Sequence, residues 1–231
     1  ACFTRRSERS GAGIPEPTLR HAFHLRAARK SSGRCGRHRV AQIDVDRATA
    51  MAASLTKAAH RVGTPPEGID WLSRAHALAM APRLEQLGDD HHPAYLHPGR
   101  SALVLIRDAE VSDALTLAGA VVLETRDDAL RMSTDLVDRL GPELSELVAA
   151  VPRPGGDSLT ERLVTASNEV RLAALAERLD HLRHEHLREE RDHWRELHDE
   201  VGSVWWPVAK RTHAKLATRY AHWHRTFAKR L

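Results

Sequence analysis

The chain has 231 residues, 42% apolar and 29% charged, enough for one large domain or two small ones with a real core. No run approaches the roughly 18 uninterrupted apolar residues of a membrane span, and two cysteines, Cys2 and Cys35, are too few for a disulfide framework or a Cys-rich zinc site. The net charge of +4 is unevenly spread: residues 1–50 hold eleven Lys+Arg and four acids, the remainder 24 bases and 27 acids.

Binding to a phosphate backbone needs a concentrated basic face, and only the first segment has one. Nucleic acid is therefore not an expected partner, although a basic arm stays open as an alternative. Residues 1–50 are rich in Arg, Ser and Gly and show no sustained period of 3.6 or 2. Met51 opens MAASLTKAAHRV in the manner of a protein start. Residues 1–66 are expected to be a disordered tail or an upstream extension, with the folded domain spanning 67–231 after Thr64-Pro65-Pro66. Arg far outnumbers Lys, a composition typical of a GC-rich coding sequence, and no secretory pattern of charged start, apolar core and small-residue cleavage site is seen. The expected setting is a bacterial cytoplasm, with no membrane partner.

From Ile69 onward the punctuation is helical. Asp70 can cap a helix over 70–87 with Trp71, Leu72, Ala75, Leu78, Ala79 and Leu84 inward. Gly88-Asp89-Asp90 breaks it, and Pro93 and Pro98 bracket the start of a second helix over 97–107. The spacing predicts further helices over 111–124 and 127–140, then, after Gly141-Pro142, a short one ending near 151. A Pro/Gly loop covers 152–157, and a short helix covers 161–166. A long helix over 170–198 carries Leu172, Leu175, Leu179 and Leu182 at three- and four-residue intervals. A last helix over 204–229 carries the tryptophans and Pro207, with Trp206, Tyr220 and Phe227 expected to pack inward. No alternating stretch demands a strand, so the expected class is all-α, a single helical bundle.

Glu177, His181 and His184 stand at i, i+4 and i+7 and share one stripe of the long helix. A carboxylate and two imidazoles so placed could hold a metal or move protons. The alternative, favoured on spacing alone, is solvated surface in a helix crowded with His, Arg and Glu. His97, which opens an apolar helix, is open to the same two readings. Glu124, followed by Asp127 and Asp128, could ligate a metal or cap the next helix, whose N-terminus favours negative charge.

Taken in order, YLHPGRSALVLI, LAGAVVLETRDDA, ELSELVAAV and LAALAERLDHLR resemble successive motifs of HD-domain phosphohydrolases. They are most similar to the hydrolase half of the (p)ppGpp synthetase/hydrolase (RelA/SpoT) family. The C-terminal VWWPVAKRTHAKLATRYAHWHRTF resembles the segment that follows that hydrolase domain, and the likeness covers about residues 70–228. It implies an HD-domain-like bundle in which two His and two Asp hold a divalent cation, usually manganese, that activates water to remove pyrophosphate from the guanosine 3′ position.

Carried over by motif, the resemblance implies His97, Glu124 and Glu177 as metal ligands. Asp127 and Asp128 become the catalytic acids if the chain is active, and His181, His184 and Arg178 become substrate-binding residues. The chain departs from the family at Leu123, which stands where a ligand His is expected. Glu124 and Glu177 are each one methylene longer than the family's Asp, and Gly88-Asp89 replaces a basic pair. A site that needs ligands placed to a few tenths of an ångström tolerates such changes poorly; His181 could supply the missing donor. Arg178 or Arg100 turned onto Glu124 or Glu177 would mark a salt-bridged relic, whereas both turned away would favour a bound ion.

The leading expectation is a degenerate domain with lost or altered hydrolase activity and a regulatory or ligand-binding role, with a nucleotide as its candidate ligand. Its cofactor is Mn2+ or another divalent cation if the site works, and none otherwise. A working phosphohydrolase and a helical scaffold or homo-oligomer are the alternatives.

Overall fold

A computed structural model describes residues 35–86, 93–123, 140–152, 159–187 and 191–231. All the regular structure among them is helical, and the class is all-α as the sequence predicts. The helices are α1 (Cys35–Arg61), α2 (Pro66–Gln86), α3 (His97–Ala109), α4 (Ala114–Val122), α5 (Pro142–Ala150), α6 (Leu159–Thr165), α7 (Asn168–His184), α8 (Trp194–Glu200), α9 (Trp206–Thr212) and α10 (Ala214–Phe227). The expected helix over 127–140 lies outside the described residues. Among the described residues no helix is long and apolar enough to cross a membrane.

The central element is α4, ALTLAGAVV, in which every residue from Thr116 onward is buried. Asp113 caps it, its carboxylate accepting from the Thr116 backbone N–H at 2.8 Å. The run Ala118-Gly119-Ala120 lets neighbours approach closely. A Cβ on Gly119 would sit 2.5 Å from Leu147 Cδ2, so α5 packs where only glycine leaves room. α2, α3 and α7 also pack on α4, and α3 lies along α7, so the site helices meet in the interior.

The domain boundary expected at residue 67 is corrected by α1. Leu55, Ala58 and Ala59 belong to the main core, and Ala48 packs in a smaller cluster with Met80 and Tyr95. A Cβ on Gly99 of α3 would fall 2.4 Å from Met51 Cγ, a measure of how closely α1 approaches α3. The apolar face of α1 is built of alanines and one leucine among Arg, Asp and Thr, so periodicity hardly registers it. Residues 1–34 lie outside the described residues.

The long helix expected over 170–198 is two helices. Ser167 caps α7 through the Val170 N–H at 3.3 Å. The helix ends at His184, whose Nδ1 donates to the Asp180 carbonyl at 2.8 Å, and a 3-10 turn, Glu185–Leu187, follows. His193, just before α8, donates to the buried Glu185 carboxylate at 2.6 Å.

The expected last helix is likewise divided. A π-helical turn, Val201–Trp205, leads into α9, and Pro207, which has no N–H to donate, follows directly after it. His213 then adopts an extended conformation (φ −157°, ψ 125°) and separates α9 from α10. α10 is tied to α7 by Tyr220 Oη donating to the Leu175 carbonyl and Trp223 Nε1 to the Leu182 carbonyl, both at 2.7 Å. Trp205, Tyr220, Trp223 and Phe227 are the buried aromatics of this region. Trp206, expected inward, is half-buried with Lys210 Nζ 4.2 Å from its ring centre. The expected grouping of Trp206 with Tyr220 and Phe227 assumes one unbroken helix, and the extended His213 between them breaks that register.

Candidate functional site

α3 begins at His97 and α7 carries Glu177, Asp180 and His181, so the packing of these two helices assembles the site. Pro98 in the first turn of α3 lets the helix start directly after a 3-10 turn (Pro93–Leu96), which places the His97 ring in the interior.

His97 is 1% exposed, and its Nδ1 donates to Asp180 Oδ2 at 2.7 Å. Asp180, equally buried, also accepts from Arg100 Nε at 2.9 and 3.1 Å through its two oxygens. A carboxylate on one ring nitrogen fixes the tautomer and directs the other nitrogen outward from the pair. That nitrogen, Nε2, lies 3.2 Å from Ser101 Oγ. The His181 ring stands 3.9 Å from the His97 ring, tilted by 31°. His181 Nε2 meets Glu177 Oε1 at 3.1 Å.

His97, Glu177 and His181 thus each offer a donor atom, all within 4.8 Å of one another. Burial pushes the Glu177 carboxyl up, but the hydrogen bond and charge of His181, with His97 and Arg178 nearby, outweigh it and leave the pKa below the ordinary value. At Asp180 burial again opposes ionisation, and His97 and Arg100 override it, so this pKa too is lowered. Both acids are held as carboxylates, the form in which they orient imidazoles or ligate cations.

The donor set, two imidazole nitrogens and one carboxylate oxygen, suits zinc-like or manganese-like ions and leaves positions open. A tetrahedral ion with bonds of about 2.0–2.1 Å places its donors roughly 3.4 Å apart. The cluster would therefore close by up to about 1.4 Å, within reach of side-chain rotation at Glu177 and His181.

The other expected site residues separate from this cluster. Glu124, Asp127 and Asp128 lie outside the described residues, as does Gly88-Asp89. Leu123 is buried in the core just after α4, an apolar side chain with no donor to offer. His184 bonds the Asp180 carbonyl rather than joining the cluster, and burial lowers its pKa. Arg178, expected to bind substrate, sends Nη2 to Glu200 Oε2 at 2.9 Å and lies over the Trp205 ring. Its position on α7 directs Arg178 toward α8 and the π turn, away from the cluster.

Asp180 is the residue the sequence reading missed. It lies three positions after Glu177, beside His181 and one turn before His184. That stripe offered the signal, but Asp among Arg, His and Glu resembles solvated surface.

The fold and site define an all-α protein with a His-Glu-His cluster, buried at His97 and half-buried at Glu177 and His181, that is braced by an Asp-Arg pair and could hold a cation. No family model matches the chain, and no curated protein matches it in sequence.

Proposed function

We propose that this chain is a degenerate HD-domain-like protein that holds one divalent cation, manganese or zinc in class, on His97, Glu177 and His181. In this reading it has lost the (p)ppGpp hydrolase activity of the family it resembles and serves as a ligand-binding or regulatory module. The observation that carries the reading is the meeting of His97 with Glu177. These residues lie on separate helices, and the motif resemblance alone pairs them at one ion. Asp180 supports it by orienting His97 from the far side of the ring, as outer partners of metal-bound histidines do.

Two features speak for lost hydrolysis. Leu123, where the resemblance expects a ligand His, is a buried apolar side chain, and Arg100, the nearby cation that could clamp a phosphate, is engaged by Asp180. A second reading, a working phosphohydrolase with a rearranged site, rests on the same three donors leaving coordination positions open for water and substrate. When bound, the ion would polarise a phosphoryl oxygen. The chain's own residues would hold His97 in one tautomer and keep Glu177 ionised.

Incubation of the purified protein with (p)ppGpp and manganese separates the readings. The expected result is no pyrophosphate release, together with a gain in manganese affinity when Leu123→His and Glu124→Asp rebuild the family's dipeptide. Clear cleavage by the unmodified protein, abolished by His97→Ala, would replace the first reading with the second.

A further inference from the structure

A second buried carboxylate, Asp108 near the end of α3, organises a different surface. Its Oδ2 accepts from Arg183 Nη2 at 2.8 Å, and its Oδ1 accepts from Arg219 Nε and Nη2 at 3.1 and 2.8 Å. Asp108 is 8% exposed, whereas both arginines reach solvent, so the carboxylate draws two guanidinium groups together at the rim of a groove. This groove lies between α7 and α10 and has a volume of about 290 Å³.

Its floor is apolar: Leu179, Trp223 and Phe227 are buried there, with the two aromatic rings stacked at 4.3 Å and 18°. Arg230 and the imidazoles of His186 and His222 complete the rim. These three side chains have no hydrogen-bond or ion-pair partner among the described residues. Three guanidinium groups against one carboxylate leave a charge of +2 among the described residues, whose lining adds no further acid.

We propose that this groove is a binding site for a small phosphomonoester with an apolar or aromatic body. A dianion matches the local charge. Guanidinium forks pair with tetrahedral oxyanions through two parallel bonds. Arg219 spends Nε and Nη2 on Asp108 and keeps Nη1, while Arg183 spends a single Nη2 proton and keeps the rest of its fork. With their Asp108-facing bonds already made, the two arginines lose less freedom on binding than free surface arginines would. The Trp223–Phe227 floor receives the apolar body. The volume lies at the small end of ligand pockets, so the occupant is one phosphate on a compact group. The site lies on a different face of α7 from Glu177 and His181 and does not depend on the cation reading.

Calorimetric titration of the full chain with phenyl phosphate, at ionic strength held constant with chloride, tests the site. The expected result is saturable one-to-one binding, weakened about tenfold in Arg230→Gln, the loss of one charge-assisted hydrogen bond. Arg230 is exposed and has no partner among the described residues, so this variant folds. Arg183→Gln, checked for helicity by circular dichroism, weakens binding at least as much. Arg107→Gln, an exposed arginine that does not line this groove, leaves binding unchanged. Inorganic phosphate binds more weakly than phenyl phosphate because it leaves the aromatic floor uncovered. Absence of saturation, equal loss in Arg107→Gln, unchanged affinity in Arg230→Gln, or tighter binding of benzoate than of phenyl phosphate would overturn the proposal.

Discussion

Asp180 and Asp108 are both buried carboxylates that each gather two basic side chains, yet they do so in opposite surroundings. Asp180 is enclosed with His97, and Arg100 reaches it from a position only 17% exposed. Asp108 holds Arg183 and Arg219, whose side chains are 36% and 55% exposed. In the dry setting the same pairing fixes one tautomer and one ring orientation, because an unpaired charge there has no water to turn to. In the wet setting it gathers cations at a rim and leaves their remaining donors available. Burial of the partners, more than the carboxylate itself, decides whether an Asp serves a site by orientation or by accumulation of charge.

The comparison breaks first at Asp180. Asp180→Ala strands His97 and Arg100 and should cost about 3–5 kcal/mol, the range for removing one partner of a buried pair, measured by urea unfolding. A loss below about 1 kcal/mol would place Asp180 in the wet class. The adjacent tryptophans sharpen the same contrast. Trp205 is buried and donates to Glu200 Oε1 at 2.6 Å, so Trp205→Ala should cost about 3–5 kcal/mol as a large-to-small core change. Half-buried Trp206, which packs at the edge of the core and against Lys210, should lose less, about 1–2 kcal/mol. Equal losses would show that the two tryptophans do not differ in burial.

His76 gives the case of burial without a partner. Both ring nitrogens are buried and make no hydrogen bond among the described residues, and burial lowers its pKa from 6.5 to about 4. The folded state therefore disfavours the proton that the unfolded chain binds below pH 6.5. Stability should be full above that pH and fall by roughly 3 kcal/mol as the pH drops toward 4. Glu177 and Asp180, whose pKa values are lowered, add losses only at the acid end of that range and below. His76→Leu should reduce the slope between pH 6.5 and 5 and leave only the share of His184 and His224, whose pKa values are also lowered; an unchanged slope there would assign it elsewhere. The smallest effect is expected at the rim: Asp108→Asn should cost about 1 kcal/mol, because Arg183 and Arg219 then turn to water.

The helical class was legible in the sequence because α3, α4 and α7 carry long apolar stripes between Pro, Gly and Ser punctuation. α1 was not, since alanine faces give little contrast with the Arg and Thr around them. The breaks after His184 and at His213 escaped for a related reason. They arise from a side chain bonding its own turn and from a local extended conformation, neither of which interrupts the three-four spacing. At the site, the order of motifs singled out His97, Glu177 and His181, which the fold brings together. It also singled out His184 and Arg178, which share the helix but face a carbonyl and Glu200. Spacing along a helix assigns a stripe; the neighbouring helices decide which members of the stripe meet.

The central claim is that His97, Glu177 and His181 hold one cation. It is tested most directly by equilibrium dialysis of the purified chain against manganese or zinc, followed by elemental analysis. The account predicts one ion per chain, lost in His97→Ala and in Glu177→Gln and retained in His184→Ala. No bound ion in the unmodified protein, or an ion retained after His97→Ala, would contradict it.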